Sequence, residues 1–181
     1  MGFAISWMAF KGKSKSDVLA AVQLRDTGES DEANESPISG DEFPNGWYVL
    51  FLNDYDHALV KPASLAALSA GCEIIACQIE EHVMASSAVM YANGRRVWAV
   101  AHQGDGDDIY DLTVEGTPPQ NFAGIRQRLT KEQEGEGGRA ADVDYIFDIP
   151  LDLACSICGY RHDQSEFDWG EPNFTRLTAK T

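Results

Sequence analysis

The chain has 181 residues, 44% hydrophobic and 24% charged, a composition that supports one compact domain with a substantial core and argues against disorder of the whole chain. Its 29 acidic residues against 14 basic ones give a formal charge of −15, which repels phosphate backbones and favours a basic protein partner over nucleic acid. No apolar stretch approaches the roughly 20 residues of a membrane span, and four cysteines without a secretory leader suit a reducing compartment, so a cytoplasmic location is expected.

In "MGFAISWMAFKGK", alternation of Phe3, Ile5 and Trp7 predicts a first strand, in preference to the N-myristoylation pattern that Met1 to Ser6 formally satisfies. Lys11, Lys13 and Lys15 form a short basic cluster without interleaved aromatics. Ser14 with Asp17 three residues on, followed by Val18, Ala21 and Val22, predicts a capped first helix. The next stretch carries seven carboxylates between Asp26 and Glu42 and no Lys or Arg in that interval. Its few apolar residues predict a mobile acidic loop over 26–43, either a plain solvated insertion or a partner-binding segment containing Asp31, Glu32 and Glu35.

"GWYVLFLND" is a continuous apolar run, as in a central strand buried on both faces. Pro62, Leu65, Leu68 and Gly71 then mark a short helix. In "CEIIACQIEEHV", Ile75, Cys77 and Ile79 share one face of a strand and Cys72 points to the other. Asn93-Gly94 in "AVMYANGRRVWAVAH" predicts a two-residue hairpin pairing Tyr91 with Arg96, Val89 with Trp98 and Met90 with Val97.

The aspartates of "QGDGDDIYDLTVEG" invite a calcium reading, but a loop begun at Asp105 places Tyr110 where glycine is required and Gly116 where the bidentate glutamate belongs. A solvated turn presenting Asp105, Asp107 and Asp108, then another strand, is expected instead. Thr117 and Gln120 form a potential capping box, opening a helix with Phe122, Ile125 and Leu129 inward. A flexible linker is expected over 134–141, then a helix that starts near Asp148 and Pro150 and stops at Gly159.

Cys155 and Cys158 share a helical stripe with Leu151 and Ala154, so they are read as core groups. A zinc site lacks a second paired motif, and a redox pair would require an exposed helix N-terminus. Neither metal nor cofactor is expected. His57, His82, His102 and His162 are scattered, and no nucleophile elbow, phosphate loop or dinucleotide fingerprint is present. The enzyme alternative rests on Glu80, His82 and His102 meeting in a sheet pocket. Trp169, in a polar tail spanning 163–181, either folds back over the body or serves as an exposed binding anchor.

The predicted fold is a single α+β domain with an antiparallel-rich sheet around the Asn-Gly hairpin and about four packing helices. Through "NGRRVWAVAH", "VEGTPPQNF" and "DYIFDIPLDLA", the stretch from Trp47 to His162 resembles a group of small uncharacterised bacterial cytosolic proteins and, more loosely, immunity proteins that neutralise antibacterial effectors. The resemblance implies binding rather than catalysis: an acidic module occluding a basic toxin or nuclease-like partner, with a regulatory or assembly subunit as a further alternative.

Overall fold

Unbroken apolar runs dictate the middle of the sheet, and backbone pairing alone extends it to its polar edge. The structure is a computed structural model that describes residues 2–104 and 108–180, so Asp105 and Asp107 lie outside the described residues. In chain order come β1 (Ala4–Lys11), α1 (Lys15–Ala21), β2 (Leu24–Ser30), β3 (Ile38–Glu42), β4 (Tyr48–Leu52), α2 (Pro62–Leu68), β5 (Glu73–Glu80) and β6 (Ala85–Ala92). Then follow β7 (Arg95–Gln103), β8 (Thr113–Gly116), α3 (Phe122–Gly135), α4 (Asp148–Cys158) and β9 (Thr175–Ala179), with 3-10 turns at Ala58–Val60 and Gly138–Ala140. The strands of the described residues form one nine-stranded antiparallel sheet ordered β2-β9-β3-β4-β1-β5-β6-β7-β8, and the fold is α+β.

Helices cover both faces, which is why β1 and β4 are apolar on both. On one face Trp7, Val49, Phe51, Ile75, Cys77 and Ile79 pack with Leu151, Leu153, Ala154 and Cys158 of α4 and Leu129 of α3. On the other, Met8, Phe10, Leu50, Leu52 and Ile74 pack with Val18 and Leu19 of α1, Leu65 of α2 and Cys72. Cys72 and Cys77 thus occupy opposite layers, as strand alternation requires. Ser14 caps α1 by accepting from the Asp17 amide at 3.1 Å.

The acidic segment is not the loop its composition suggests. Asp26 to Ser30 lies in β2 and Ile38 to Glu42 in β3, leaving only residues 31–37 as a connection. The tail likewise contributes β9, which inserts between β2 and β3. These polar strands at one side of the sheet gain their partners through the backbone, so counting apolar residues misses them. Lys15 also meets the Asp26 carboxylate at 2.6 Å. The linker at 134–141 is built from the last residues of α3 and the 3-10 turn at Gly138–Ala140, with Arg139 paired to Asp108.

Two further expectations shift. The hairpin turns at Asn93-Gly94 and pairs Tyr91 with Arg96, but a bulge between Met90 and Tyr91 sets Met90 opposite Trp98 and Val89 opposite Ala99. Val97 is the extra residue: it is 40% exposed, while Trp98 turns inward to 2%. The bulge thereby places the large indole in the core. The Thr117 capping box does not form either, since α3 begins at Phe122 after Asn121, without a side-chain cap. Prolines 118 and 119 lead the chain from β8 to that start.

Candidate functional site

The helix stop at Gly159 directs the chain into a segment that lines a cavity. Gly159 has φ 74°, and an added Cβ would lie 2.8 Å from Asn45 Nδ2, so the left-handed, crowded position favours glycine. The chain then runs across the end of the sheet as Tyr160 to Ser165. Tyr160 is buried edge-on against Trp7 with ring centroids 5.2 Å apart. Arg161 ties the segment to α4, donating to Asp148 at 2.6 Å and to Asp152, while its Nε and Nη2 reach Asp163 at 2.8 and 3.0 Å. Burial pushes the Asp148 carboxyl up in spite of Arg161, whereas at Asp163 the guanidinium outweighs burial and holds the carboxyl below its usual range.

The opposite wall comes from the β2–β3 connection and from the approach to β9. Asp31 is only 8% exposed. Its carboxylate accepts from the amides of Glu35 at 2.9 Å and Ser36 at 3.2 Å, and its own amide donates to the Phe174 carbonyl at 2.8 Å. Asp31 therefore shapes the turn from within and is not the exposed contact residue the sequence suggested. Glu32 and Glu35 are exposed, and Glu32 stands on the wall of the cavity. Across from it, the Asn173 amide donates to Asp41 at 2.7 Å and fixes the strand entry beside Glu171.

Between these walls lies a cavity of about 740 Å³. Phe3, Phe51, Tyr160 and Phe174 give it aromatic surface; Glu32, Asp163 and Glu171 give it carboxylates; no Lys or Arg lines it among the described residues. His162 forms part of the wall with its side chain 1% exposed. The ring stands edge-on to Phe3 at 5.0 Å and 90°, and neither nitrogen has a hydrogen-bond partner. Its nearest carboxylate, Glu81, is 3.8 Å from Nε2, beyond hydrogen-bond reach. Burial outweighs the attraction of Asp163 and Glu81 and lowers the imidazole pKa from its ordinary value. Such a cavity offers carboxylates and aromatic surface, a set suited to a cationic group.

The other sequence-derived candidates are distributed elsewhere. Glu80 and His82 do meet, at 2.6 Å on an exposed turn after β5. His102 instead takes its partners from Asp144, 2.8 Å from Nε2, and from the Asp111 carbonyl, 2.6 Å from Nδ1. The enzyme constellation of Glu80, His82 and His102 is therefore not assembled. Asp108 is engaged by Arg139 and accepts from the Tyr110 amide at 2.9 Å. Trp169 folds back: its ring stacks between Phe43 and Phe167 at 4.3 and 5.1 Å, and its N–H donates to the Gly159 carbonyl at 2.8 Å. Cys158 is fully buried and Cys155 half-buried, both thiols pushed up by burial. No group of three or more His, Cys, Asp or Glu is placed to hold a metal among the described residues, and no helix there is long and apolar enough to cross a membrane.

His162, Asp163 and Glu171 were not singled out by sequence. The one local signal was the run Arg161-His162-Asp163 directly after a helix-stopping glycine, where titratable groups leave a helix end together. Comparison of the chain with protein-family models, with curated proteins and with solved structures finds no match in any of the three.

Proposed function

We propose that this protein is an acidic binding module that receives a basic side chain of a protein partner in the cavity between Glu32, His162 and Glu171. The observation that carries this reading is a cavity with three carboxylates, four aromatic rings and, among the described residues, no lining cation. A basic side chain entering it exchanges water for carboxylate oxygens and ring faces, and the net charge of −15 steers a positive surface toward it over long range. Occlusion of a basic, nuclease-like cleft in the bacterial cytoplasm, as an immunity protein does, is the biological form we assign to this chemistry.

The test is a two-dimensional NMR titration with a short peptide of arginine, lysine and glycine. Shifts should concentrate on Glu32, on His162 to Ser165 and on Glu171 to Phe174, and the double reversal Glu32→Lys and Glu171→Lys should remove them. Shifts spread over the whole acidic surface, or unchanged by the reversal, would refute the pocket as receptor. A cognate partner should associate more slowly as salt rises, with dissociation changing less.

A further inference from the structure

We propose that Phe3 is the apolar half of this receptor, so that the partner segment it takes pairs its basic side chain with an apolar one two residues away. This rests on reading the cavity as a receptor for a basic side chain. Among the described residues Phe3 is the one exposed aromatic side chain, at 42%, and it lines the cavity. Its place is fixed. Its amide donates to Glu81 Oε2 at 2.9 Å, its carbonyl accepts from the Glu81 amide at 2.9 Å, and its ring meets that of His162 at 90° with centroids 5.0 Å apart. The exposed part of a ring held in this way adds nothing to the fold, and aromatic side chains are the common anchors of protein interfaces.

Strand alternation explains why the ring stands there. Phe3, Ile5 and Trp7 point to the same face, the one packed against α4. Cover is complete over Trp7 at 0% and Ile5 at 3%, and it stops short of Phe3. On β4 Phe51 stands opposite Trp7, and with Phe174 and Tyr160 it borders the cavity, each of the three almost wholly buried. The apolar layer on this face therefore runs out into the cavity, with Phe3 as its exposed margin and Glu32 and Glu171 as carboxylates on the walls. Asp163 is engaged by Arg161 at two atoms, which leaves Glu32 and Glu171 to the basic residue.

Size argues for two side chains. A cavity of about 740 Å³ falls in the range of about 300–1,000 Å³ that holds a whole small-molecule ligand. A single lysine or arginine leaves part of this space to water lying on apolar carbon, and an apolar neighbour displaces that water with a gain proportional to the area covered. Two residues along an extended chain is the spacing that turns both side chains to one side. Net charge draws every basic segment alike, whereas contact with Phe3 separates segments of equal charge.

The experiment follows the full chain by NMR while it is titrated with three capped pentapeptides of equal charge: glycine–leucine–glycine–arginine–glycine, glycine–arginine–glycine–leucine–glycine, and glycine–glycine–glycine–arginine–glycine. One leucine order should bind wild type about fivefold more tightly than the leucine-free peptide, the worth of a partly buried aliphatic side chain. Its methyl protons should give nuclear Overhauser contacts to the Phe3 ring. Phe3→Ala should bring the peptides to within about twofold of one another, and Phe3→Leu, which keeps an apolar margin, should retain most of the gain. The methyl contacts are read in wild type, so a substitution that disturbs folding does not decide the result. Equal affinity of wild type for all three peptides, a gain that persists in Phe3→Ala, or methyl contacts confined to other residues would each overturn the proposal. So would Phe3 and Glu32 resonances that move with protein concentration alone, since a second copy of the chain would then occupy this margin. If no peptide reaches the cavity, the receptor reading falls and this inference with it; if all reach it with equal affinity, this inference falls alone.

Discussion

His102 Nε2 lies 2.8 Å from Asp144 Oδ2, and this pair joins β7 to the entry of α4, because Asp144 also accepts from the amides of Ile146 and Phe147 at 3.0 and 3.1 Å. Both ring nitrogens face acceptors, and the His102 side chain is 0% exposed. Burial alone would lower its pKa, but the bonds to Asp144 and to the Asp111 carbonyl outweigh burial and raise it. Its stabilisation is complete below the ordinary histidine value of about 6.5 and is lost as pH rises through the folded value. His102→Gln should cost about 3 kcal/mol near pH 6 and distinctly less above the folded pKa, measured by urea unfolding of both proteins across that range.

Amide exchange should show protection in β2 and β3, where composition alone suggests a mobile loop. Leu177, on β9 between them, is 4% exposed within the α1–α2 layer. Leu177→Ala should cost about 3 kcal/mol by leaving a cavity and should accelerate exchange in β2 and β3 before β5 to β7. Uniform acceleration across the sheet would show that the polar half does not open separately.

Tyr48 and Gly40 are fitted to each other across the β3–β4 pair. A Cβ on Gly40 would clash with the Tyr48 hydroxyl, which is buried without a partner. Gly40→Ala should destabilise by about 2 kcal/mol through overpacking. Tyr48→Phe should gain about 1 kcal/mol by removing an unsatisfied group, and the double variant should cost less than the sum, as a thermal or urea double-mutant cycle will read out.

Asp31→Ala should cost about 2 kcal/mol, because the Glu35 and Ser36 amides lose a charged acceptor. It should also weaken binding of a basic peptide by displacing the turn that carries Glu32. Asp31→Asn, which keeps one acceptor oxygen, should lose less of both. Unfolding midpoints and the same NMR titration give the two numbers.

The Cys158 thiol is pushed up to about 12, chiefly by burial, so it should resist iodoacetamide at neutral pH in the folded state and react on unfolding. Cys158→Ser should cost about 2 kcal/mol by placing a hydroxyl in an apolar layer. Cys155→Ser should cost less, since Cys155 is only half-buried. Mass spectrometry of alkylated protein and urea unfolding check these in turn.

The central architecture is legible from the chain because its signals are local. The apolar run around Val49 to Leu52, the Asn93-Gly94 turn, the Ser14 cap and the Gly159 stop each act within a few residues, where steric limits and periodicity suffice. Placing Cys72 and Cys77 on opposite faces needed nothing more than strand alternation. The polar half of the sheet was decided by tertiary structure, since β9 reaches β2 and β3 across more than a hundred residues, paired through backbone bonds that carry no side-chain signature and anchored by the single buried Leu177. The same distance hides the cavity: Phe3, Glu32, His162 and Glu171 have no mutual spacing in sequence and meet only once distant segments have packed. His162 illustrates the difference, for its residue type was visible from the outset, while its burial, its missing partner and its place on a cavity wall come from how distant segments pack.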